Sequence, residues 1–310
     1  MEYPWLSHRS EKYKEILRAK SLFLKYVRKY LDKQDFIEVQ TPKIVPGISE
    51  SGANVFKLQY FDKEACLAQS PQLYKQMLIN SDCGRVYEIG PIFRAENSHT
   101  KRHLCEFTGL DIEMVLDQGL AEVIEMGWKM LKYSLSCLSA SFSQKLEIFE
   151  KPLILTFEEG AKLLKEVGYE QNCMEDISTV NERRLGKIVK EKYNSDLFVL
   201  SHYPTSVRPF YTKINEENPE ITESFDIIFK GVEIASGAQR IDNIDELEKN
   251  LETKKVDPTT LGYYLESFKY GSWPHGGFGM GVERIISLYL DLNEVQMASF
   301  CPRTPDRLHP

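Results

Sequence analysis

The chain has 310 residues, 42% hydrophobic and 27% charged, a balance ordinary for a soluble globular enzyme, and nothing in it approaches the roughly 20 consecutive apolar residues of a membrane span. A formal net charge of −7 gives nucleic acid no long-range attraction, so any RNA contact must rest on a local basic patch. The cysteines, Cys66, Cys83, Cys105, Cys137, Cys173 and Cys301, form no C-x-x-C pair, which argues against a structural zinc site or a disulfide framework, and the opening Met1-Glu2-Tyr3-Pro4-Trp5 lacks the basic and apolar parts of a secretory signal, so a cytoplasmic location is expected.

Residues 11–33 place Ile16, Leu17, Phe23, Tyr26, Val27, Tyr30 and Leu31 three and four apart with charges between them, the pattern of an amphipathic helix. Residues 36–42 alternate as a short strand halted by Pro42, and 55–60 as a second. A third strand is expected over 85–93, broken at Gly90-Pro91, and 107–115 alternates again. The charged stretch from Arg94 to His103 is then the exposed connection of a long antiparallel hairpin. Helices are expected over 119–149, 157–168 with Gly168 closing it, 181–193, 244–253, 258–268 and 281–290. Strands are expected at 197–200, 224–229, 233–241 and 276–280, with an exposed loop at 215–223. The order gives an α+β fold, a mainly antiparallel sheet flanked by helices.

Four groups carry candidate chemistry. Arg94 and Glu96 lie two apart at a strand end and share a face, as a ligand needing a cation and an acceptor would require; standing alone, the pair reads more readily as a surface salt bridge. The run from Pro274 to Arg284 puts Gly276, Gly277, Gly279 and Gly281 before a helix, where backbone can approach a ligand closely. Its spacing fits neither a P-loop nor a dinucleotide-binding turn. Asp226 and Glu233, followed by Ser236 and Arg240, offer two carboxylates for a hard cation beside a guanidinium able to grip a carboxylate, or are simply acids on neighbouring strands. Gln69 to Gln76 gathers Ser70, Gln72 and Lys75 at a strand-to-helix turn. His99 and His103, four apart, fall in a loop rather than on a helix face, which disfavours zinc.

Asp35–Pro42 with its helix, Arg85–Glu113 with Phe93-Arg94-Ala95-Glu96, and Gly277–Arg284 resemble, in that order, motifs 1, 2 and 3 of the class II aminoacyl-tRNA synthetase catalytic domain. Within the class the wording is closest to the aspartyl branch of archaeal and eukaryotic type: Ser51-Gly52-Ala53-Asn54, Gln69–Gln76, Gly109-Leu110-Asp111-Ile112-Glu113, Arg208-Pro209-Phe210-Tyr211, Ser236-Gly237-Ala238-Gln239-Arg240 and the tail Pro302–Leu308. The resemblance runs from about residue 15 to the end. It implies a six-stranded antiparallel sheet, a homodimer formed through motif 1, residues 15–310 as the catalytic domain, and 1–14 as a remnant or linker in place of an anticodon-binding domain.

The resemblance also implies roles. Arg94 and Arg284 would be the catalytic cations, Arg94 on the ATP α-phosphate and Arg284 over the adenine and near the γ-phosphate. Glu96, His103, Phe107, Glu233 and Gly281 would complete the ATP site, with Phe107 stacked on the base. Asp226, Glu233 and Ser236 would hold Mg²⁺. Lys75 and Arg240 would read the aspartate side chain, and Glu50, Ser70, Gln72, Asp111, Ser236 and His275 would complete the amino-acid site. The loop Asn97–His103 would meet the acceptor stem of tRNA. Val232 departs from the second acid common beside the metal glutamate, and Cys301 from an apolar residue. Phe278 replaces a glycine, a spelling shared with asparaginyl enzymes. The alternatives are asparaginyl specificity, a stand-alone paralogue that passes an adenylate elsewhere, and a catalytically silent interaction protein.

Overall fold

The computed structural model describes residues 3–46, 55–97, 103–142 and 144–309. After the single turn α1 (Pro4–Ser7), the long helix α2 (Glu11–Asp32) buries Ile16, Ala19, Phe23, Val27 and Leu31, one stripe at helical spacing. The expected strand at 36–42 shrinks to β1 (Ile37–Glu38). A small three-stranded sheet follows, built from β2 (Ile44–Val45), β3 (Lys57–Tyr60) and β4 (Lys63–Leu67) in the order β2-β4-β3. Helix α3 (Gln72–Ile79) leads into the long hairpin of β5 (Arg85–Phe93) and β6 (Glu106–Val115).

β5 runs unbroken through Gly90-Pro91, contrary to the sequence expectation. The reason lies in its edge. Tyr87 O receives Val39 N–H and Phe93 N–H reaches Ala68 O on the side away from β6, so the odd residues face outward there. Pro91 therefore places its missing donor where β1, which pairs only with Val86 and Tyr87, does not extend.

Helix α4 (Leu120–Phe142) is shorter than the expected 119–149. Strand β7 (Ile154–Thr156), unforeseen at three residues, runs directly into α5 (Phe157–Glu166), whose start is fixed by a capping box between Thr156 and Glu159. Then come α6 (Thr179–Tyr193), β8 (Leu197–Ser201), β9 (Ser224–Phe229), β10 (Val232–Gln239), α7 (Ile244–Lys254), α8 (Gly262–Phe268), β11 (His275–Gly281) and α9 (Val282–Tyr289). The helix expected over 258–268 is split, a 3₁₀ turn at Pro258–Leu261 preceding α8.

The main sheet has eight strands in the order β1-β5-β6-β11-β10-β9-β8-β7. The six from β5 to β8 are mutually antiparallel, and β1 and β7 add one parallel strand at each edge. One face carries Leu110, Ile112, Phe225, Ile227 and Phe278 into the main core with α2 and α4. Phe278, the departure noted in the sequence, is fully buried against Phe225, with its ring packed over Gly127 of α4. A separate core under α5 and α6 holds Phe157, Leu164, Leu185, Phe198 and Tyr203. At the other terminus of the chain, the His8 ring meets Phe300 edge-on at 4.8 Å. No described helix is long and apolar enough to cross a membrane.

Candidate active site

The opposite face of the sheet is where the chemistry gathers. Side chains alternate along a strand, so Phe107, Gly109, Asp111 and Glu113 of β6 share one face. The antiparallel register sets Gly281 opposite Gly109, Gly279 opposite Asp111 and Gly277 opposite Glu113. On β10, Ser236 lies beside Gly279, and on β9, Asp226 lies beside Ser236. The glycines of β11 thus form a floor without side chains between polar rows. A Cβ on Gly279 would stand 2.9 Å from Asp111 Oδ1, and one on Gly277 only 2.0 Å from Ile112 O. The result is a cleft of about 360 Å³ over this face. Along β6 it is lined by Phe107, Gly109 and Asp111, a span of roughly 13 Å at the rise of a strand.

At the Phe107 end, the Arg94 guanidinium lies over the Phe107 ring, 5.6 Å from its centroid. Its Nε is buried with no hydrogen-bond partner among the described residues. Arg284, in the first turn of α9, donates from Nη1 to Glu233 O at 2.8 Å, where a bulge between Glu233 and Ala235 interrupts β10. The Glu233 N–H is bonded by the Glu182 carboxylate of α6. Glu96 and His103 face each other across the cleft wall at 3.8 Å. Glu283, not singled out from sequence, ties three segments together: Lys20 of α2 at 2.5 Å and both the N–H and hydroxyl of Thr108 of β6 at 2.9 Å. Its only sequence signal is its place beside Arg284.

At the other end the charges are already paired. Lys75 Nζ lies 3.1 Å from Asp111 Oδ1 and 3.3 Å from Glu113 Oε2. Arg240 donates from Nε to Glu113 Oε1 at 2.9 Å, and from Nη2 to Glu113 Oε2, Gln72 Oε1 and Gly277 O. Burial would raise the Glu113 carboxyl, but Arg240 and Lys75 outweigh it and hold the group below its usual range. Glu113 was not expected as a site residue, because an acid inside an alternating strand looks like any other from sequence.

A chain of amides leads away from Arg240. Gln72 donates to Gln76 Oε1, which also accepts from Tyr264 OH, and Gln76 Nε2 meets His275 Nε2 at 3.0 Å. His275 Nδ1 sits 2.7 Å from Trp273 O. Since a carbonyl can only accept, Nδ1 carries the proton and Nε2 receives the Gln76 amide, which is the neutral tautomer. Burial accordingly depresses the His275 pKa.

The residues expected from sequence divide as follows. Arg94, Glu96, His103, Phe107, Glu233, Gly281, Arg284, Ser70, Gln72, Asp111, Ser236 and Arg240 line the one cleft. Lys75, His275 and Asp226 do not; each is buried behind its wall. Glu50, the segment 51–54, Lys101 and Arg102 lie outside the described residues. Two of the three side chains expected to hold a metal already have a partner. Asp226 and Ser236 are both held by Arg208, through Nη2–Oδ1 at 2.8 Å and Nη1–Oγ at 2.8 Å, and Arg208 itself lies on the Tyr203 ring. Burial pushes the Asp226 carboxyl up against the pull of Arg208. Among the described residues no three His, Cys, Asp or Glu side chains converge on a metal-sized point, whereas the Glu233 side chain is 42% exposed.

Comparison with known proteins gives concordant results. Residues 1–305 match the family described as tRNA synthetases class II (D, K and N). Aspartate–tRNA ligase 2, cytoplasmic, of Arabidopsis thaliana is 43% identical over 295 residues, covering 91% of this chain and 53% of the relative. The chain therefore spans about half the length of that relative. The crystal structure of a putative aspartyl-tRNA synthetase from Leishmania major Friedlin superposes with a TM-score of 0.92 at 36% identity, covering 99% of this chain and 68% of the other. Asparaginyl-tRNA synthetase from Pyrococcus horikoshii, solved with asparaginyl-adenylate, gives 0.91 at 32% identity, with coverages of 99% and 72%.

Proposed function

The chain belongs to the class II tRNA synthetases, D, K and N, and from that premise we propose that it activates aspartate with ATP and transfers the aspartyl group to tRNA. The observation that carries this reading is the polarity of the cleft. One end presents an aromatic ring and two arginines, Phe107, Arg94 and Arg284. The other presents a buried cation pair behind Gln72 and Asp111, with the glycine floor joining them.

Aspartyl and asparaginyl enzymes both stand among the similar structures. Aspartate is favoured here because Arg240 lines the inner end of the cleft with Lys75 buried behind it, and a carboxylate forms an ion pair there through two acceptor oxygens, whereas the NH2 of an amide cannot accept. Asp111, the cleft-lining acid, would take the ammonium. The substrate's own α-carboxylate would attack the α-phosphorus of ATP and expel pyrophosphate, so no protein nucleophile is required. Arg94, with its unpartnered Nε, would stabilise charge on the phosphoryl oxygens, and Phe107 would stack on the base. Glu233 would hold Mg²⁺, and Asp226 and Ser236 could join it only in exchange with Arg208. When bound, the ion would supply positive charge against the phosphates of ATP.

The relatives' names place them in the cytoplasm, and the same location is proposed here. The test is amino-acid-dependent ATP–pyrophosphate exchange across all twenty amino acids, followed by charging of aspartate tRNA. Exchange driven better by asparagine than by aspartate overturns the assignment. Exchange with aspartate but no charging favours an adenylate-forming paralogue.

A further inference from the structure

Sequence assigns Arg208 no role, yet its guanidinium stands on groups that a metal would need. Arg208, Ser236 and Glu233 line the cleft, whereas Asp226 is buried behind its wall. Nη1 of Arg208 donates to Ser236 Oγ at 2.8 Å, and Nη2 lies 2.8 Å from Asp226 Oδ1. One guanidinium therefore spans two of the three side chains expected to hold Mg²⁺. The contact with Asp226 is close but poorly aligned: Nη2, Nε and Asp226 Oδ1 are all buried without a hydrogen-bond partner among the described residues. Arg208 also lies on the Tyr203 ring, 3.8 Å from its centroid, a contact that holds the guanidinium plane and leaves its N–H groups unused. The charge is permanent, since arginine does not deprotonate in a protein. Such a group leaves a buried carboxylate only for another anion, because an unpaired charge in a dry site is costly.

We propose that Arg208 is an internal stand-in for the metal: it occupies Asp226 and Ser236 while the cleft is empty, and releases them when a triphosphate offers its guanidinium another anion. The inference rests on the ATP and Mg²⁺ readings given above. With Arg208 in place, a free cation meets only Glu233 of the three expected ligands. Once the guanidinium turns to a phosphate, its two unused N–H positions gain acceptors, and Asp226 and Ser236 are freed. Metal entry and nucleotide binding are then coupled through one side chain, and linkage makes that coupling reciprocal.

Removing the guanidinium should move two affinities in opposite directions. Electron paramagnetic resonance measures Mn²⁺ binding without nucleotide, calorimetry measures binding of a non-hydrolysable ATP analogue without divalent ions, and thermal melting follows folding. Arg208→Met should bind Mn²⁺ roughly tenfold or more tighter than the wild type, and the analogue more weakly. A residue that only supports the fold would weaken both. Asp226→Asn should change Mn²⁺ binding little in the wild type, where Arg208 already holds the carboxylate. In the Arg208→Met background it should abolish most of the gain, a non-additivity that direct competition requires.

Mn²⁺ bound no tighter by Arg208→Met than by the wild type overturns the inference, as does a gain that survives Asp226→Asn. Should Arg208→Met not fold, Arg208→Lys decides by the same comparison. Its ammonium lacks the fork that spans Asp226 and Ser236, so it too must bind Mn²⁺ tighter than the wild type or the inference fails. Failure of the underlying reading looks different: a wild type that binds no ATP analogue even with Mn²⁺ present.

Discussion

Replacing Gly186 by alanine sets two effects of opposite sign against each other. Gly186 lies within α6, one turn after Glu182 and on the same face, where α6 crosses the turn between β9 and β10. A Cβ there would stand 2.2 Å from Gly231 Cα and 2.7 Å from Gly231 N. These are backbone atoms that cannot rotate aside, and Gly231 itself holds φ at +73° in a tight turn. Helix propensity favours alanine by about 1 kcal/mol, whereas overpacking costs ~1–3 kcal/mol, with an immovable neighbour at the upper end. The net expectation is destabilisation by about 2 kcal/mol. Backing α6 off also withdraws Glu182 from the Glu233 N–H, so ATP binding in the presence of Mg²⁺ should weaken in parallel. Urea unfolding and calorimetry would measure the two. Gly262→Ala is the internal control: its φ is −51° and nothing lies within 4 Å of its Cβ, so it should stabilise by up to about 1 kcal/mol. A Gly186→Ala protein as stable as the wild type would refute the close approach on which the reasoning depends.

Glu233→Gln should raise the Mg²⁺ concentration needed for half-maximal pyrophosphate exchange by roughly tenfold or more, and Asp226→Asn should raise it less, because Arg208 already holds Asp226; the reverse order would contradict the assignment of Glu233 as the principal ligand. Burial depresses the His275 pKa, so below about pH 6.5 the unfolded chain gains a proton that the folded one refuses, and stability falls as pH falls. His275→Gln should abolish that component, so the stability gap between wild type and variant should narrow from pH 7.5 to pH 5 in urea unfolding; a gap that widens would mean the ring is charged in the folded state. The protein should be a homodimer by light scattering, joined near β1, an edge strand whose Ile37 is half exposed. Ile37→Glu should shift it toward monomer, and a wild-type monomer at micromolar concentration would refute the dimer.

The elements that sequence located best are those whose signal is periodic. The α2 stripe from Ile16 to Leu31, the alternation of β6 and the run of β9 all fall within a residue or two of the expected bounds. What sequence hid was set by neighbours distant along the chain. β7 has only three residues and exists because β8 offers a parallel partner. Pro91 looked like a break because nothing local says which way its nitrogen points. The cleft residues were legible because their motifs cluster in short segments, Arg94 to Glu96, Gly277 to Arg284 and Ser236 to Arg240. Glu283 was not, since its partners Lys20 and Thr108 lie on two other segments.

The same distinction bears on substrate choice. Counting cations from sequence gives Lys75 and Arg240 and makes aspartate follow at once, because an amide would leave a buried charge unpaired. The folded chain removes that premise, since Glu113 and Asp111 already sit on both cations. Asparagine would therefore strand no bare charge, and the energy separating the two substrates must come from how far a carboxylate improves on contacts that exist already. That makes discrimination a difference between two satisfied states, smaller and more sensitive to geometry than one between a satisfied and an unsatisfied state. It also accounts for how an asparaginyl enzyme can share this fold at a TM-score of 0.91.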